Sequence, residues 1–419
     1  MLAEGGSSFW LTLVATLAVG WGATVGYAEY RRRRRARRRA RYLDGVRFLL
    51  DDKPDRALEV FLGLAALDDE TVDTHFALGS LYRRRGEVDR AIRVHQHIVG
   101  RTGLDPRHRD AALTELARDY FRAGLYDHAE KLFLQLADSG REPAVALAYL
   151  IRIHELQHDW AQAAATHERL RGVGLPEQPG AIAHYYCEMA EAAIGQRDLD
   201  TAREHLRSAR REQKDFGRSA ILRGDLARMR GEPQLAVQLY RSVVRHDFHL
   251  LALVLPRLAE AARQAGDAES FDESLRELLR NGIGNRSEIA YAAIVSGYFD
   301  DPVILECVRE LLVTDSDLKD LTGALLPAGV EPSGAQLLSV ASALRNVVLR
   351  HARYRCSVCG IDSSTFLWQC PGCKSWDTLR ATAALEFLPR AARPGAASDC
   401  SQICTTRPRL PQASHAALR

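Results

Sequence analysis

Residues 78–98 read LGSLYRRRGEVDRAIRVHQHI, and residues 116–136 read LARDYFRAGLYDHAEKLFLQL. In both stretches a leucine and a small residue precede a tyrosine, and a glycine, an alanine and large apolar residues follow. Apolar residues at helical spacing on both sides of a glycine indicate two helices joined by a turn. The pattern therefore predicts a helix-turn-helix unit that recurs along the chain.

The alanine near the start of the second helix marks the register of this unit. It recurs at Ala57, Ala91, Ala129, Ala163, Ala202 and Ala236, with Phe271 in its place in the last unit. The intervals are 34, 38, 34, 39, 34 and 35 residues, and a 34-residue unit of this kind is typical of tetratricopeptide repeats. We predict an all-α tetratricopeptide-repeat superhelix over residues 42–285, capped by degenerate helical repeats over 286–350. The first helices are expected to end at Gly86, Gly124, Gly231 and Gly266.

Stacked repeats form a concave groove that commonly binds a peptide or protein. The register places seven arginines on or near that face, which suggests an acidic partner surface: Arg83, Arg84, Arg118, Arg122, Arg152, Arg228 and Arg263. The alternative is that arginine is merely the default charged surface residue in a chain with only five lysines.

A second pattern lies near the C-terminus, where residues 354–376 read YRCSVCGIDSSTFLWQCPGCKSW. It contains two C-x-x-C pairs, formed by the four cysteines Cys356, Cys359, Cys370 and Cys373. Two such tight turns supply four thiolates to a single ion, which is tetrahedral coordination for one iron or zinc ion. We predict a metal module over residues 351–380. Two disulfides are the alternative, which the paired spacing disfavours.

Other features of this module bear on its chemistry. Gly360 and Gly372 suit the positive-φ positions that the cysteine turns need. The spacing alone does not choose between iron and zinc. Four thiolates leave no open coordination position, so the predicted site is structural or electron-carrying rather than hydrolytic.

The first forty residues predict a membrane anchor. Phe9 to Ala28 is a run of twenty residues without a charge, and as a helix it would span about 30 Å, the thickness of one bilayer core. Residues 31–41 read RRRRRARRRAR. By the positive-inside rule, residues 1–30 form a single-pass anchor with the N-terminus outside and the bulk of the chain in the cytoplasm. A cleaved signal peptide needs positive charge before the apolar run, where Glu4 is the only charge.

Charge is unevenly distributed in this chain of 419 residues with net charge +3. Without the nine arginines of residues 31–41 the net charge is −6, so the protein is not generally basic and no nucleic-acid partner is predicted. The position of Arg31–Arg41 beside the predicted span favours anionic lipid headgroups as its contact. Residues 381–419 lack apolar periodicity and are predicted to be disordered.

One motif suggests an enzyme. Residues 154–158 read HELQH, which matches the H-E-x-x-H pattern of zinc peptidases. In the repeat register, however, His154 takes the helix-packing position of Tyr82 and Tyr120, and His158 falls at the turn where other units have glycine. Because a zinc peptidase needs both histidines on one continuous helix, we predict a chance match. No other catalytic motif is present, so the chain is predicted not to be an enzyme.

In the order anchor, repeat array and four-cysteine module, the chain resembles the lipopolysaccharide assembly protein B family from the anchor to about Leu379. The most specific part is YRCSVCG from Tyr354 together with WQCPGCKSW ending at Trp376. The resemblance implies a rubredoxin-like module with Cys356, Cys359, Cys370 and Cys373 as ligands, in a regulator at the bacterial inner membrane. The arginine block is heavier than the family pattern, and the tail carries Cys400 and Cys404, for which the family offers no role.

The resemblance also implies function. Family members act as adaptors that help the membrane-bound AAA+ zinc protease degrade the deacetylase committing carbon to lipid A synthesis. They are also linked to the lipopolysaccharide assembly machinery. Electron transfer through an iron four-cysteine site is the alternative. A zinc-ribbon nucleic-acid module is a third hypothesis, but the basic residues around the cysteines, Arg353, Arg355, Lys374 and Arg380, are few for backbone binding.

Overall fold

A computed structural model describes most of the chain from the repeats to the end of the metal module. The described residues are 21, 24–33, 36, 40, 43–45, 47–48, 53, 56–57, 59–60, 69–140, 143–174, 179–280, 286–314, 318, 333–349 and 353–381. Within these residues, no helix combines the length and apolar character that a bilayer crossing requires. Most of the predicted anchor Phe9–Ala28 and nearly all of the predicted disordered tail lie outside the described residues.

The repeat region is helical throughout its described residues. Its α-helices are α1 (Asp69–Arg84), α2 (Val88–Val99), α3 (Pro106–Arg122), α4 (Tyr126–Ser139), α5 (Pro143–Gln157), α6 (Trp160–Gly172), α7 (Pro179–Gly195), α8 (Leu199–Glu212), α9 (Gly217–Met229), α10 (Pro233–His246), α11 (Leu251–Gln264), α12 (Ala268–Arg280), α13 (Arg286–Ser296), α14 (Pro302–Thr314) and α15 (Gly334–Leu349). A short 3₁₀ helix, Phe248–Leu250, precedes α11.

Chain contacts divide the protein into two compact units. The first comprises residues 1–158 and 166–175, and the second comprises residues 159–165 and 176–419. In the first unit α1 packs on both α2 and α3, and in the second α9 packs on α10 as well as on α7 and α11. In both examples the first helix contacts its own partner and the first helix of a neighbouring repeat, as in stacked repeats.

The alanine register is confirmed by burial. The side chains of Ala57, Ala91, Ala129, Ala163, Ala202 and Ala236 are fully buried, and Phe271 is 4% exposed. In the six alanine units a methyl side chain lets the two helix backbones approach closely, whereas the last unit buries the larger Phe271 at this position. The positions that the repeat spacing predicts to lie between paired helices are therefore buried there.

The turns between paired helices adopt the left-handed conformation that the glycines predict. Gly86, Gly124, Gly231 and Gly266 have φ between 69° and 83°. In the two units that lack glycine at this position, His158 (φ 58°) and Arg197 (φ 62°) adopt the same conformation. A side chain with a Cβ is disfavoured there, so the stacking of the repeats imposes this backbone conformation on both residues.

The metal module is a small β-structure at the end of the second unit. Its strands are β1 (Tyr354–Cys356), β2 (Asp362–Ser363) and β3 (Leu379–Ala381), and they form an antiparallel sheet in the order β2-β1-β3. Tyr354 pairs with Ser363 on one side and with Ala381 on the other. The central strand β1 leads directly into the first cysteine turn, so the sheet fixes where that turn begins.

Candidate metal centre and its docking surface

The four predicted cysteines converge on one point. Their sulfur atoms all lie within 4.8 Å of one another, with 3.7 Å between Cys356 and Cys373 and 3.6 Å between Cys359 and Cys370. A disulfide bond is about 2.05 Å long, so the sulfurs are not bonded to each other, and the cysteines are free. Metal–sulfur bonds of about 2.3 Å in a tetrahedron give sulfur–sulfur edges of about 3.8 Å. The spacing of the sulfurs therefore fits a single four-coordinate ion.

The two cysteine turns are built alike but differ in one respect from the sequence prediction. Gly360, directly after Cys359, has φ 75° as expected. In the second turn the positive φ falls on Lys374 (φ 60°), directly after Cys373, so the prediction for Gly372 is wrong. A Cβ on Gly372 would lie 3.2 Å from Ile361 and 3.5 Å from the Cys359 sulfur. A side chain at Gly372 would therefore crowd Ile361, and its φ does not require glycine.

Polar groups around the sulfurs favour the thiolate form at one ligand. Burial alone raises the pKa of Cys356, but the Thr378 hydroxyl, at 3.3 Å from the sulfur, and nearby backbone N–H groups outweigh it and lower the pKa to about 6. Burial raises the pKa of Cys370 to about 12. A cation among the four sulfurs would favour the thiolate at Cys370 as well. Four thiolates saturate such an ion, which leaves it no position for substrate.

The module is docked on the repeat helices of its own unit through Trp376. Its ring stacks on His184 of α7 at a centroid distance of 4.6 Å. It also meets the rings of Trp160 (5.7 Å) and Tyr185 (5.9 Å) edge-on. Aromatic rings at these separations and angles add favourable quadrupole contacts to the burial of their surface. The aromatic residue that ends the cysteine motif thus joins the metal site to α6 and α7.

Arg218, at the start of α9, forms the second contact of the docking surface. It is 1% exposed and donates to Glu188 at 2.8 Å and to Glu191 at 3.0 Å. Its guanidinium carbon lies 5.2 Å from the centroid of the Trp368 ring. A desolvated guanidinium over an indole face is a favourable cation–π contact, and the two carboxylates compensate the buried charge.

His184 lies between these groups as a neutral ring. Burial, and after it the charge of Arg218, lower the pKa of His184 to about 3, although Asp377 acts in the opposite direction. Its Nδ1 lies 3.3 Å from Arg218 Nη1, so the neutral ring accepts a hydrogen bond there. The docking surface therefore carries a single buried cation, Arg218, and its geometry depends on His184 staying uncharged.

The comparisons with known proteins agree with both halves of this architecture. Residues 354–381 match a family model described as a rubredoxin metal binding domain, and residues 74–110 and 187–247 match tetratricopeptide repeat models. The chain is 32% identical over 383 residues to lipopolysaccharide assembly protein B from Escherichia coli K12, covering 90% of this chain and 98% of that protein. The chain belongs to the lipopolysaccharide assembly protein B family.

A more distant member of the lipopolysaccharide assembly protein B family, from Haemophilus influenzae, is 25% identical over 364 residues, covering 81% of this chain and 88% of that protein. Membership of the lipopolysaccharide assembly protein B family accounts for a chain that combines tetratricopeptide repeats with the four-cysteine module. The family resemblance drawn from the sequence is therefore confirmed.

Three of the seven predicted groove arginines form ion pairs with carboxylates of this lipopolysaccharide assembly protein B family member itself. Arg83 pairs with Glu115 and, at 2.8 Å, with the fully buried Asp119, while Arg118 also pairs with Glu115. Arg263 pairs with Glu260 in its own helix. Arg84 and Arg122 are exposed, and Arg152 and Arg228 are half-buried. Arg83 and Arg118 are brought together by a shared carboxylate rather than by a partner surface.

The H-E-x-x-H match does not build a zinc site. Helix α5 ends at Gln157, and His158 follows it in the left-handed conformation. His154 is buried in the core. Among the described residues of this lipopolysaccharide assembly protein B family member, the four cysteines are the one group whose side chains are placed to hold a metal ion.

Sequence reasoning missed the residues of the docking surface. Arg218 is one of many arginines in the chain, and nothing near it in the sequence distinguishes it from a solvated one. The available signal was Trp368 and Trp376, which are large aromatic residues in a module too small to bury both. Their presence indicates that the module needs a second surface.

Proposed function

We propose that this chain is a non-enzymatic adaptor that regulates lipopolysaccharide biosynthesis at the bacterial inner membrane. One observation carries the proposal: the four sulfurs are placed to fill all coordination positions of one metal ion, and Trp376 and Arg218 join the module to repeat helices. An ion with four thiolate ligands would stabilise the fold of the metal module, and through Trp376 and Arg218 the packing of the repeat helices that the module contacts. The names of the relatives, lipopolysaccharide assembly protein B, support the pathway.

In this proposal the membrane confines the adaptor. Phe9–Ala28 spans the inner membrane once, with the N-terminus in the periplasm and the bulk of the chain in the cytoplasm. Arg31–Arg41 contacts anionic lipid headgroups on the cytoplasmic side. Confinement to one surface raises the effective concentration of other membrane-bound partners, so modest affinities suffice for assembly.

The proposed partners are the membrane-bound AAA+ protease and the lipid A pathway deacetylase. The adaptor brings the two together and so promotes degradation of the deacetylase, and it also contacts the lipopolysaccharide assembly machinery. Of the seven predicted groove arginines, those at 84, 122, 152 and 228 remain candidates for these contacts. Arg83, Arg118 and Arg263 are already ion-paired within the chain.

The test is a chase of the deacetylase in the native host after new protein synthesis is stopped. Depletion of the adaptor should lengthen the half-life of the deacetylase several-fold, and the intact chain should restore it. A variant lacking residues 1–30 should fold but fail to restore rapid degradation. Full restoration by this variant would refute the membrane part of the proposal, and an unchanged half-life on depletion would refute the adaptor role.

The electron-transfer alternative is tested by metal exchange. An adaptor whose ion is structural should keep its partner binding when the module is loaded with zinc, which has no redox chemistry. If the zinc form binds partners normally but only the iron form supports growth, the redox alternative replaces the structural role.

A further inference from the structure

Helix α8 carries an unusual line of arginines. Arg203, Arg207 and Arg210 are spaced so that they share one face of the helix, and all three are exposed. None of the three makes an ion pair with any residue in the described part of the chain. Lys214 continues the line after the helix ends. This face differs from that of α11 and α14, where Arg263 and Arg309 are paired with Glu260 and Glu306 of their own helices.

The line of arginines borders a groove. Two adjoining cavities of about 830 and 230 Å³ share Arg207 and Arg210 in their walls. Their described lining holds seven cations against two carboxylates, Glu204 and Glu232. A third cavity of about 240 Å³ continues from Arg210 and Lys214 and adds the carboxylates Asp215 and Asp247. The second cavity lies between α8, α9 and α10, whereas the described lining of the first comes from α8 and Lys214; both are strongly electropositive.

Arg223 of α9 is the deepest cation of this groove. It is half-buried and lines both smaller cavities. Burial, and after it the charge of Arg210, lower the pKa of Arg223, and no described carboxylate pairs with it. A half-buried cation beside a second cation costs stability, and proteins commonly tolerate such a cost where a ligand offsets it.

The shape and lining of the groove select among anionic partners. A planar bilayer surface does not reach the half-buried Arg223 at the base of a concavity. Among the described residues that line the first two cavities there is no aromatic ring, so nucleic-acid bases have no stacking platform. The cations from Arg203 to Lys214 extend over about 16 Å at the helical rise, the length of about five residues of extended chain.

Apolar side chains complete the recognition surface. Leu235 is 42% exposed on α10, and Leu239 is half-buried beside it in the wall of the second cavity. A ligand that fills this groove therefore needs carboxylates for the arginine forks and at least one apolar side chain for the leucines. We infer that the groove between α8, α9 and α10 is a docking site for an acidic, amphipathic segment of a partner protein, held by Arg207, Arg210 and Arg223.

This inference deepens the proposed adaptor function, on which it rests, by placing a partner site on the second helices α8 and α10 and on Arg223 of α9, in addition to the candidate groove arginines. The test uses the full chain in nanodiscs of phosphatidylcholine. The probe is a fluorescent 12-residue peptide with leucine at every fourth position and glutamate elsewhere. The matched probe carries glutamine at every glutamate position. Binding is measured by fluorescence anisotropy at physiological salt.

We expect the glutamate peptide to bind at least about tenfold more tightly than the glutamine peptide, since hydrogen bonds between a guanidinium and a carboxylate are stronger than those to a neutral amide. The double variant Arg207→Gln/Arg210→Gln should lose about tenfold in affinity. The control Arg245→Gln/Arg309→Gln removes two exposed arginines that are paired with Glu277 and Glu306. It makes the same change in net charge and should bind within about twofold of the native chain.

Thermal unfolding provides a second readout. Arg210→Gln removes a charge that opposes the charge of Arg223, so its melting temperature should equal or exceed that of the native chain while its peptide affinity falls. A structural role for Arg210 would lower both.

Three results would overturn the inference. The first is that the glutamate peptide does not bind, and the second is an equal loss of affinity in the Arg245/Arg309 control. The third is that dihexanoyl phosphatidylglycerol binds in an Arg223-dependent manner and the glutamate peptide does not compete with it. The last result would assign the groove to a lipid headgroup instead. Because the assay is independent of deacetylase turnover, failure of this inference is distinguishable from failure of the adaptor function.

Discussion

Arg218 lies under Trp368, with its guanidinium carbon 5.2 Å from the centroid of the indole ring. One residue of a repeat helix and one residue of the metal module thus share a contact from which solvent is almost excluded, since Arg218 is 1% exposed. The carboxylates of Glu188 and Glu191 also accept hydrogen bonds from this guanidinium. The repeats and the metal module therefore depend on each other for stability.

Replacement of Arg218 should weaken this dependence. Arg218→Met removes the cation–π contact and the hydrogen bonds to Glu188 and Glu191, and we expect the chain to lose about 3 kcal/mol of unfolding free energy. Urea denaturation followed by tryptophan fluorescence measures the loss. Arg245→Met is the control, because its pair with Glu277 is exposed and contributes less than about 1 kcal/mol. Equal midpoints for the two variants would show that the buried contact does not stabilise docking.

Loss of one metal ligand should unfold the module and leave the repeat helices formed but less stable, because they lose their contacts with Trp368 and Trp376. Cys370→Ser should reduce bound metal from one equivalent to nearly none, since a neutral hydroxyl replaces a buried thiolate ligand. Limited proteolysis should then cut between residues 354 and 381, while the helical circular dichroism changes little. Cys187→Ala is the control, because Cys187 is a buried thiol outside the metal site. Metal retention by Cys370→Ser at full stoichiometry would contradict the four-sulfur site.

Stability should fall in mild acid because of His184. The pKa of this residue is lowered to about 3 by burial and by Arg218, whereas an exposed histidine has a pKa of about 6.5. Below that value the unfolded chain binds a proton that the folded chain excludes, so the free energy of unfolding decreases as the pH falls from about 6.5 toward 3, with a slope approaching about 1.4 kcal/mol per pH unit from this residue.

The variant His184→Gln isolates this contribution, because glutamine does not titrate and every other group is common to both proteins. The difference in unfolding free energy between the native chain and His184→Gln should shrink as the pH falls from 7 to 4. A difference that stays constant over this range would indicate that His184 has an ordinary pKa in the folded state.

Two glycines within helices distinguish packing from helix propensity. A Cβ added at Gly224 of α9 would lie 2.4 Å from the Tyr240 ring, whereas one added at Gly195, at the end of α7, meets nothing within 4 Å. Gly224→Ala should therefore destabilise the chain by about 1–3 kcal/mol through overpacking. Gly195→Ala should be neutral or stabilising by up to about 1 kcal/mol. Melting temperatures of the two variants measure the contrast, and equal shifts would refute it.

The repeat fold was predictable because its determinants are local and periodic. The buried alanines from Ala57 to Ala236 recur at nearly fixed intervals, and each requirement is expressed within one helix pair. The register also placed His158 at the turn that glycine occupies in other units, and His158 has the left-handed conformation although it is not glycine. The cysteine quartet was predictable for the same reason, since each pair lies within one turn.

The electrostatic roles of the arginines were not predictable in this way. Whether an arginine is free or paired depends on a carboxylate about one repeat away, as with Arg83 and Asp119. Arg218 is buried because a module more than 130 residues later in the chain covers it. Spacing on one helix face predicts a shared direction but carries no information on such distant partners.

The contacts of Trp368 and Trp376 with the repeat helices have a practical consequence for work with shortened forms of this protein. A fragment that stops at Leu349 would strip its aromatic cover from His184, Tyr185 and Trp160 and leave Arg218 with an uncovered face. Such a fragment would expose an apolar surface that the metal module covers in the intact chain, and this surface would favour self-association. A growth defect caused by deleting the C-terminus would then report damage to the remaining helices as much as the missing ion.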